Sequence, residues 1–244
     1  MNLQGKSAVV TGGGSGIGAG IALGLAAAGC RVAIGGRRTE TLAETVKQAD
    51  QAAHPIVTHQ LDVADNNSID QYFDWAEQTL GAIDILVNSA GINIVNRTMA
   101  AMEPEQWDQV MRINATGAYR CIHRVLPAMR ARNDGLVINI SSVAGKRAFA
   151  LGGVVYAASK FAMTALGTTI SNEVREEGVR VTNIYPGEVN TPILDRRPVP
   201  VSEEHRAGIL QPEDIAAMVV AICQLPPRAN VPEIVIKPTT QEWY

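Results

Sequence analysis

Short runs of β-branched and other apolar residues alternate with longer stretches of helical period along almost the whole chain. The runs Ser7–Thr11, Arg31–Gly35, Ile56–Leu61, Ile85–Asn88, Leu136–Ser141, Arg180–Tyr185 and Glu233–Lys237 predict seven strands. Between them, Ile17–Ala28, Thr39–Ala49, Asn67–Leu80, Glu103–Arg132, Val155–Glu177 and Pro212–Gln224 predict helices. Most of the strand runs are continuously apolar rather than alternating, as expected when helices cover both faces of a parallel sheet. Strict β–α alternation then implies right-handed crossovers and a doubly wound, predominantly parallel α/β sheet. No linker, repeat or charge run divides the 244 residues, so one domain over 1–244 is expected.

Two stretches break the pattern. Glu103–Arg132 is long for one helix and carries Asn114-Ala115-Thr116-Gly117 at its centre, which predicts a break or kink. Thr191–Gln211 holds Pro192, Pro198, Pro200 and many charges, and reads as a mobile loop or short helices.

Composition narrows the function classes. With 21 Lys and Arg against 24 Asp and Glu, the net charge is −3, which argues against a nucleic-acid partner. Charged residues are only 18%, below the roughly 25% of ordinary domains, so the chain is rich in core. No apolar run reaches the length of a membrane span, and the N-terminus offers no signal-peptide core; a cytoplasmic protein is expected. Cys30, Cys121 and Cys223 lie in apolar contexts without metal spacing and read as buried, reduced thiols, while the four His form no zinc pattern.

The candidate chemistry begins where the first strand ends. Gly12-Gly13-Gly14-Ser15-Gly16-Ile17-Gly18 joins that strand to a helix. Glycine there lets the backbone approach a pyrophosphate, and the helix N-terminus beyond it favours an anion. An NAD-binding unit places an acid at the end of the second strand. Here that position is Gly36, followed by Arg37 and Arg38, which offers no carboxylate to repel a 2′-phosphate and a guanidinium to pair with one. Further on, Tyr156 and Lys160 stand at i and i+4 on one helix face, where a cation near a phenol favours the phenolate. Ser141 and Ser142 end the fifth strand, at the sheet edge that presents ligand-facing groups.

Together these residues resemble the short-chain dehydrogenase/reductase family, in its compact single-domain branch. Thr11-Gly12-x-x-x-Gly16-x-Gly18 matches that branch's glycine turn, and Ser142, Tyr156 and Lys160 match its reactive core. The resemblance implies a Rossmann-type seven-stranded sheet of order 3-2-1-4-5-6-7. It implies NADP(H) rather than NAD(H), from the Arg after a non-acidic residue. The cofactor set would be Gly12, Ser15, Gly16, Ile17, Gly18, Arg37, Arg38, Asp62, Val63, Asn88, Ala90, Gly91, Pro186, Gly187, Val189 and Thr191, with Tyr156 and Lys160. Among these, Asp62 would meet the adenine, Asn88-Ser89-Ala90-Gly91 would form the turn beside the adenosine ribose, and Val189 and Thr191 would hold the nicotinamide carboxamide.

Asn114 resembles the family's fourth catalytic residue, with Ser142, Tyr156 and Lys160 as the other three. Tyr156 follows Ser142 by 14 positions where the resemblance implies 13, so one extra residue is expected in Lys146–Val155, a substrate wall. Substrate identity is expected to depend on Ile92–Arg97, Lys146–Val155, Glu188 and the Thr191–Gln211 loop. The segment Val231–Pro238 resembles a subgroup of NADP-dependent enzymes acting on 3-hydroxy acids, serine and varied carbonyls. The implied activity interconverts a carbonyl and an alcohol of a small molecule, such as a hydroxy acid, ketone or aldehyde. A non-catalytic NADP(H)-sensing regulator on the same fold is the alternative. The resemblance also implies a homotetramer or homodimer through the Glu103–Arg132 and Val155–Glu177 helices.

Overall fold

Seven strands form one sheet in the order β3-β2-β1-β4-β5-β6-β7, every neighbouring pair parallel. The computed structural model describes residues 2–49 and 52–242. The strands are β1 (Ser7–Thr11), β2 (Arg31–Gly36), β3 (Val57–Gln60), β4 (Ile85–Asn88), β5 (Gly135–Ile140), β6 (Val179–Pro186) and β7 (Glu233–Ile236). The predicted order and strand count hold, with ends shifted by at most one residue. Buried on both faces, β1, β4 and β5 match their largely apolar sequences and β6 is as fully buried despite Arg180, Thr182 and Asn183, whereas the edge strands β3 and β7 are largely exposed or half-buried. An edge strand has no neighbour on one side and less helix above it, so the expectation of two covered faces fails there.

Helices α1 (Gly16–Ala27), α2 (Thr39–Lys47) and α8 (Pro212–Gln224) lie on one face of the sheet, and α3 (Asn66–Leu80), α5 (Gly117–Ala131) and α6 (Val154–Glu173) on the other. One core joins Ile21, Leu25, Leu42, Ile215 and Val219 to Val10, Ile34 and Ile138; the opposite core joins Tyr72, Phe73, Ile122 and Met129 to Val9, Leu86 and Val137. Alternate strand residues point to opposite helical layers, as the pleat requires. Cys30, Cys121 and Cys223 are all buried in these cores.

The long interval Glu103–Arg132 does not break into a loop. It runs as α4 (Pro104–Met111), one turn of π-helix at Arg112–Thr116, then α5. The Gly117 N–H bonds the Arg112 carbonyl, so a wider turn interrupts the α-helical hydrogen bonding at the place where the sequence signals a misfit. Val155–Glu177 is likewise shorter than predicted, because the helix ends at Glu173 and turns through 174–178. Thr191–Gln211 contains a 3₁₀ turn at Pro192–Arg196 and the short α7 (Glu203–Gly208), and Val189 bridges to Leu210.

A buried asparagine row crosses the sheet near its carboxyl edge. Asn88 donates to Asn139 at 3.0 Å and Asn139 to Asn183 at 3.1 Å, from positions paired in register. Strand order reverses between β1 and β4, and the loops leaving their carboxyl ends open a crevice at that switch point.

Candidate active site

The crevice is a cleft of about 960 Å³ running from Gly36, Arg37 and Arg38 at one end to Tyr156, Arg97 and the 192–197 turn at the other. Its floor is the Gly12–Gly18 turn. Gly12 has φ +69°, and a Cβ there would lie 2.8 Å from the Ala90 Cα. At Gly18 a Cβ would come within 2.2 Å of the Gly12 carbonyl oxygen. No other residue type fits either place without moving backbone. Ser15 precedes α1 with extended backbone and makes no side-chain cap, and the first turn holds no acidic residue. Those helix N–H groups therefore face the cleft without a protein carboxylate among them.

The switch-point turn is tied to the glycine turn by Thr11. Its hydroxyl accepts from the Ser89 and Ala90 N–H groups, each at 3.2 Å, and donates to the Val87 carbonyl. Residues Ser15, Gly16, Ile17, Asp62, Val63, Ala90, Gly91, Pro186, Gly187, Val189 and Thr191 all line the same cleft. Asp62 accepts from the Ala64 N–H at 2.9 Å, which orients its carboxylate at the third-strand corner. Gly187 is held by the Ile236 carbonyl, and Thr191, buried, precedes the 3₁₀ turn against Gly16.

Asn88 and Asn114 lie behind the wall rather than in it. The Asn114 side chain accepts from the Ile92 N–H at 2.8 Å and donates to the Ile92 carbonyl and the Ser159 hydroxyl. The π turn points this buried side chain back at the chain leaving β4. Ser142, Tyr156 and Lys160 meet in the cleft below it. Ser142 opens a 3₁₀ turn (Val143–Gly145), accepts from the Ala144 N–H at 3.1 Å, and hydrogen-bonds the Tyr156 phenol. Ser141 instead donates to the Lys160 carbonyl and anchors α6 to the sheet. The Lys160 ammonium donates to the Ile140 carbonyl at 2.8 Å and stands 5.7 Å from the centre of the Tyr156 ring. The wall 146–155 turns through Phe149–Gly152 before α6 begins, within the stretch expected to hold the extra residue.

Electrostatics here depart from the sequence expectation. Burial pushes the Lys160 ammonium down to about 8. Burial also raises the Tyr156 phenol above its ordinary value, while the Ser142 hydrogen bond and the charge of Arg97 draw it back. Desolvation outweighs both, so the depression expected from Lys160 is not what sets the Tyr156 value. Gln241 was not legible as a site residue, and Arg97 only as the end of the Ile92–Arg97 stretch. Gln241 accepts from the Glu188 N–H at 2.9 Å and reaches the cleft from the chain's far end. Glu188 itself accepts from Arg197 at 2.6 Å and pairs with His205 across 2.5 Å.

The short chain dehydrogenase profile matches residues 6–199, which include the glycine turn, Asn114, Ser142, Tyr156 and Lys160. The chain belongs to the short chain dehydrogenase family. It is therefore an oxidoreductase of that family. A farnesol dehydrogenase of Aedes aegypti is 36% identical over 244 residues, covering 98% of each chain. A glycine betaine reductase of Emericella nidulans is 36% identical over 242 residues, but this chain spans only 19% of that protein. A closed serine dehydrogenase complexed with NADP+ superposes with a TM-score of 0.86 at 30% identity, over 97% of this chain and 96% of that one. Among the described residues, no helix is long and apolar enough to cross a membrane.

Proposed function

We propose that this short-chain dehydrogenase interconverts a carbonyl and a primary or secondary alcohol on a small molecule with NADP(H), using Tyr156 as acid and base. The observation that carries the proposal is the meeting of Ser142, Tyr156 and Lys160 in one cleft with the glycine turn. The chain is read as one domain, with about 191–211 as its substrate loop.

The cleft fits the cofactor. Its glycine turn has no room for a Cβ, and the uncapped α1 N-terminus suits a pyrophosphate. Gly36 leaves the acid position empty, and neither Arg37 nor Arg38 has a carboxylate within ion-pair distance among the described residues. Those two guanidinium groups would hold a 2′-phosphate, which favours NADP(H) over NAD(H). The NADP+ bound by the serine dehydrogenase neighbour agrees with that preference. Asp62 and Val63 would meet the adenine, Asn88, Ala90 and Gly91 would shape the ribose side, and Pro186, Gly187, Val189 and Thr191 would hold the nicotinamide end.

A bound nicotinamide supplies or accepts the hydride. In reduction, Ser142 and Tyr156 hydrogen-bond the substrate oxygen and stabilise the developing alkoxide. Tyr156 then gives its proton to that oxygen, and its raised pKa keeps the proton in place at neutral pH. Lys160 favours the phenolate left behind and, with Asn114, positions the route by which a proton returns. Oxidation runs the same steps backward. Self-association through α5 and α6, which expose Tyr119 and Phe161, is part of the same reading.

A panel of aldehydes, ketones and oxo acids, with NADPH and NADH in parallel, tests this function. Turnover with NADPH well above NADH is expected. Tight NADPH binding with no turnover on any of them would favour a non-catalytic NADP(H) sensor.

A further inference from the structure

Among the described residues, Arg97 in the cleft wall has no carboxylate beside it, unlike the nearby Arg197 and Arg206. Arg97 is only 9% exposed, and it lines the cavity that holds Ser142 and Tyr156. Its Nε donates to the Ile94 carbonyl at 3.0 Å, one Nη to the Leu151 carbonyl, and the other to the Arg196 carbonyl at 3.0 Å. Those contacts use three of the five N–H groups of a guanidinium and leave two. They also fix the group from three separate segments, so it is oriented before any ligand arrives.

The carboxylates that share the cleft are committed elsewhere. Glu188 is held by Arg197 and His205, Asp195 by Arg206, and Asp62 sits at the opposite end. No carboxylate lies within ion-pair distance of Arg97 among the described residues. Burial and the nearby Arg197 charge disfavour its cation, an ionised Tyr156 would favour it, and a guanidinium stays charged at neutral pH in any case. Three main-chain carbonyls alone would be served by a neutral donor, without the desolvation cost of a buried charge. A preoriented, buried cation with two free N–H groups in a substrate wall is a carboxylate receptor in form.

We propose that Arg97 is the specificity-determining residue of the cleft and receives a carboxylate on the substrate, which selects hydroxy acids and oxo acids over neutral alcohols and ketones. This rests on the carbonyl–alcohol reading above and narrows it.

The test compares a series of short oxo acids with their methyl esters in NADPH-linked reduction, on the wild type and on Arg97→Gln, Arg97→Met and Arg97→Lys. Calorimetry of 3-hydroxybutanoate and its methyl ester on the NADP+-saturated proteins runs in parallel. The wild type is expected to favour at least one acid over its ester in kcat/KM by about 100-fold, or about 2.7 kcal/mol at 1.36 kcal/mol per tenfold. In the Gln and Met variants that ratio falls below about fivefold, while Lys, which keeps the charge but not the fork, retains part of it. Equal use of acid and ester by the wild type, or an acid preference that survives Arg97→Gln, overturns the proposal. Arg97-dependent binding of the hydroxy acid without turnover upholds the receptor and overturns the hydride-transfer reading. Absence of both acid-selective turnover and Arg97-dependent binding overturns the receptor.

Discussion

Replacing Gly36 by Asp is expected to invert cofactor choice without disturbing the sheet. Gly36 ends β2, pairs in register with Gln60, and accepts from the Leu61 N–H at 3.0 Å. Its φ is not in the left-handed region, and a Cβ there meets only the Leu42 side chain, at 3.4 Å from Cδ2 and 3.9 Å from Cγ. That is ordinary contact, so the side chain fits on the existing backbone. The new carboxylate would stand beside Arg37 and face a 2′-phosphate. Two unit charges 4 Å apart repel by about 1 kcal/mol in water and about 4 kcal/mol near a protein surface. At this open end of the cleft, roughly 1.5–3 kcal/mol is expected, which weakens NADPH about 10- to 100-fold. The same carboxylate accepts from a ribose hydroxyl of NADH, adding about 0.5–1.5 kcal/mol. Fluorescence titration of both cofactors, with kcat/KM for each, measures the ratio, and Gly36→Ala controls for bulk. A folded Gly36→Asp protein whose NADPH/NADH ratio moves by less than about threefold would refute the assignment of this end of the cleft.

Three other outcomes follow from the same geometry. Asn114→Ala removes three buried side-chain hydrogen bonds at the π turn, and at about 1 kcal/mol each should lower unfolding free energy by roughly 2–4 kcal/mol in denaturant titration; a loss under about 0.5 kcal/mol would contradict the role of the π turn. The kcat/KM of reduction should be flat through neutral pH and fall on the alkaline side, because Tyr156 must carry a proton and Lys160 loses its charge from about 8 upward; oxidation should show the opposite slope, and a profile flat to strong alkali would count against Tyr156 as the acid. Burial raises the Asp84 carboxyl, but the Ser7 N–H and Lys6 outweigh it and leave the folded value depressed. Its stabilisation is therefore present above the ordinary carboxylate range and lost as pH falls through the folded value, so Asp84→Asn should flatten the acid limb of the stability curve, as thermal melts across pH would show.

The central sheet was legible because strands buried on both faces leave unbroken apolar runs, and the glycine turn because its spacing reflects backbone approach. The reactive trio was legible as an i, i+4 pair and a strand-end serine. The π turn was half legible. Asn114 and Gly117 signal trouble inside a helix, but nothing in their types says that five-residue hydrogen bonding will absorb it rather than a break. The sign of the Tyr156 shift was not legible, since one sequence-near cation can be counted and burial by distant segments cannot. Arg97 was legible only as the end of the Ile92–Arg97 stretch, its own role hidden for a related reason. Its partners are main-chain carbonyls of Ile94, Leu151 and Arg196, and a carbonyl leaves no mark on residue type.

The most direct test of the central claim is NADPH consumption by the wild type and by Tyr156→Phe with the best carbonyl of the panel, alongside NADPH binding by both. The account predicts steady turnover by the wild type, none measurable for Tyr156→Phe, and NADPH affinity nearly unchanged between them. Turnover retained by Tyr156→Phe would contradict it.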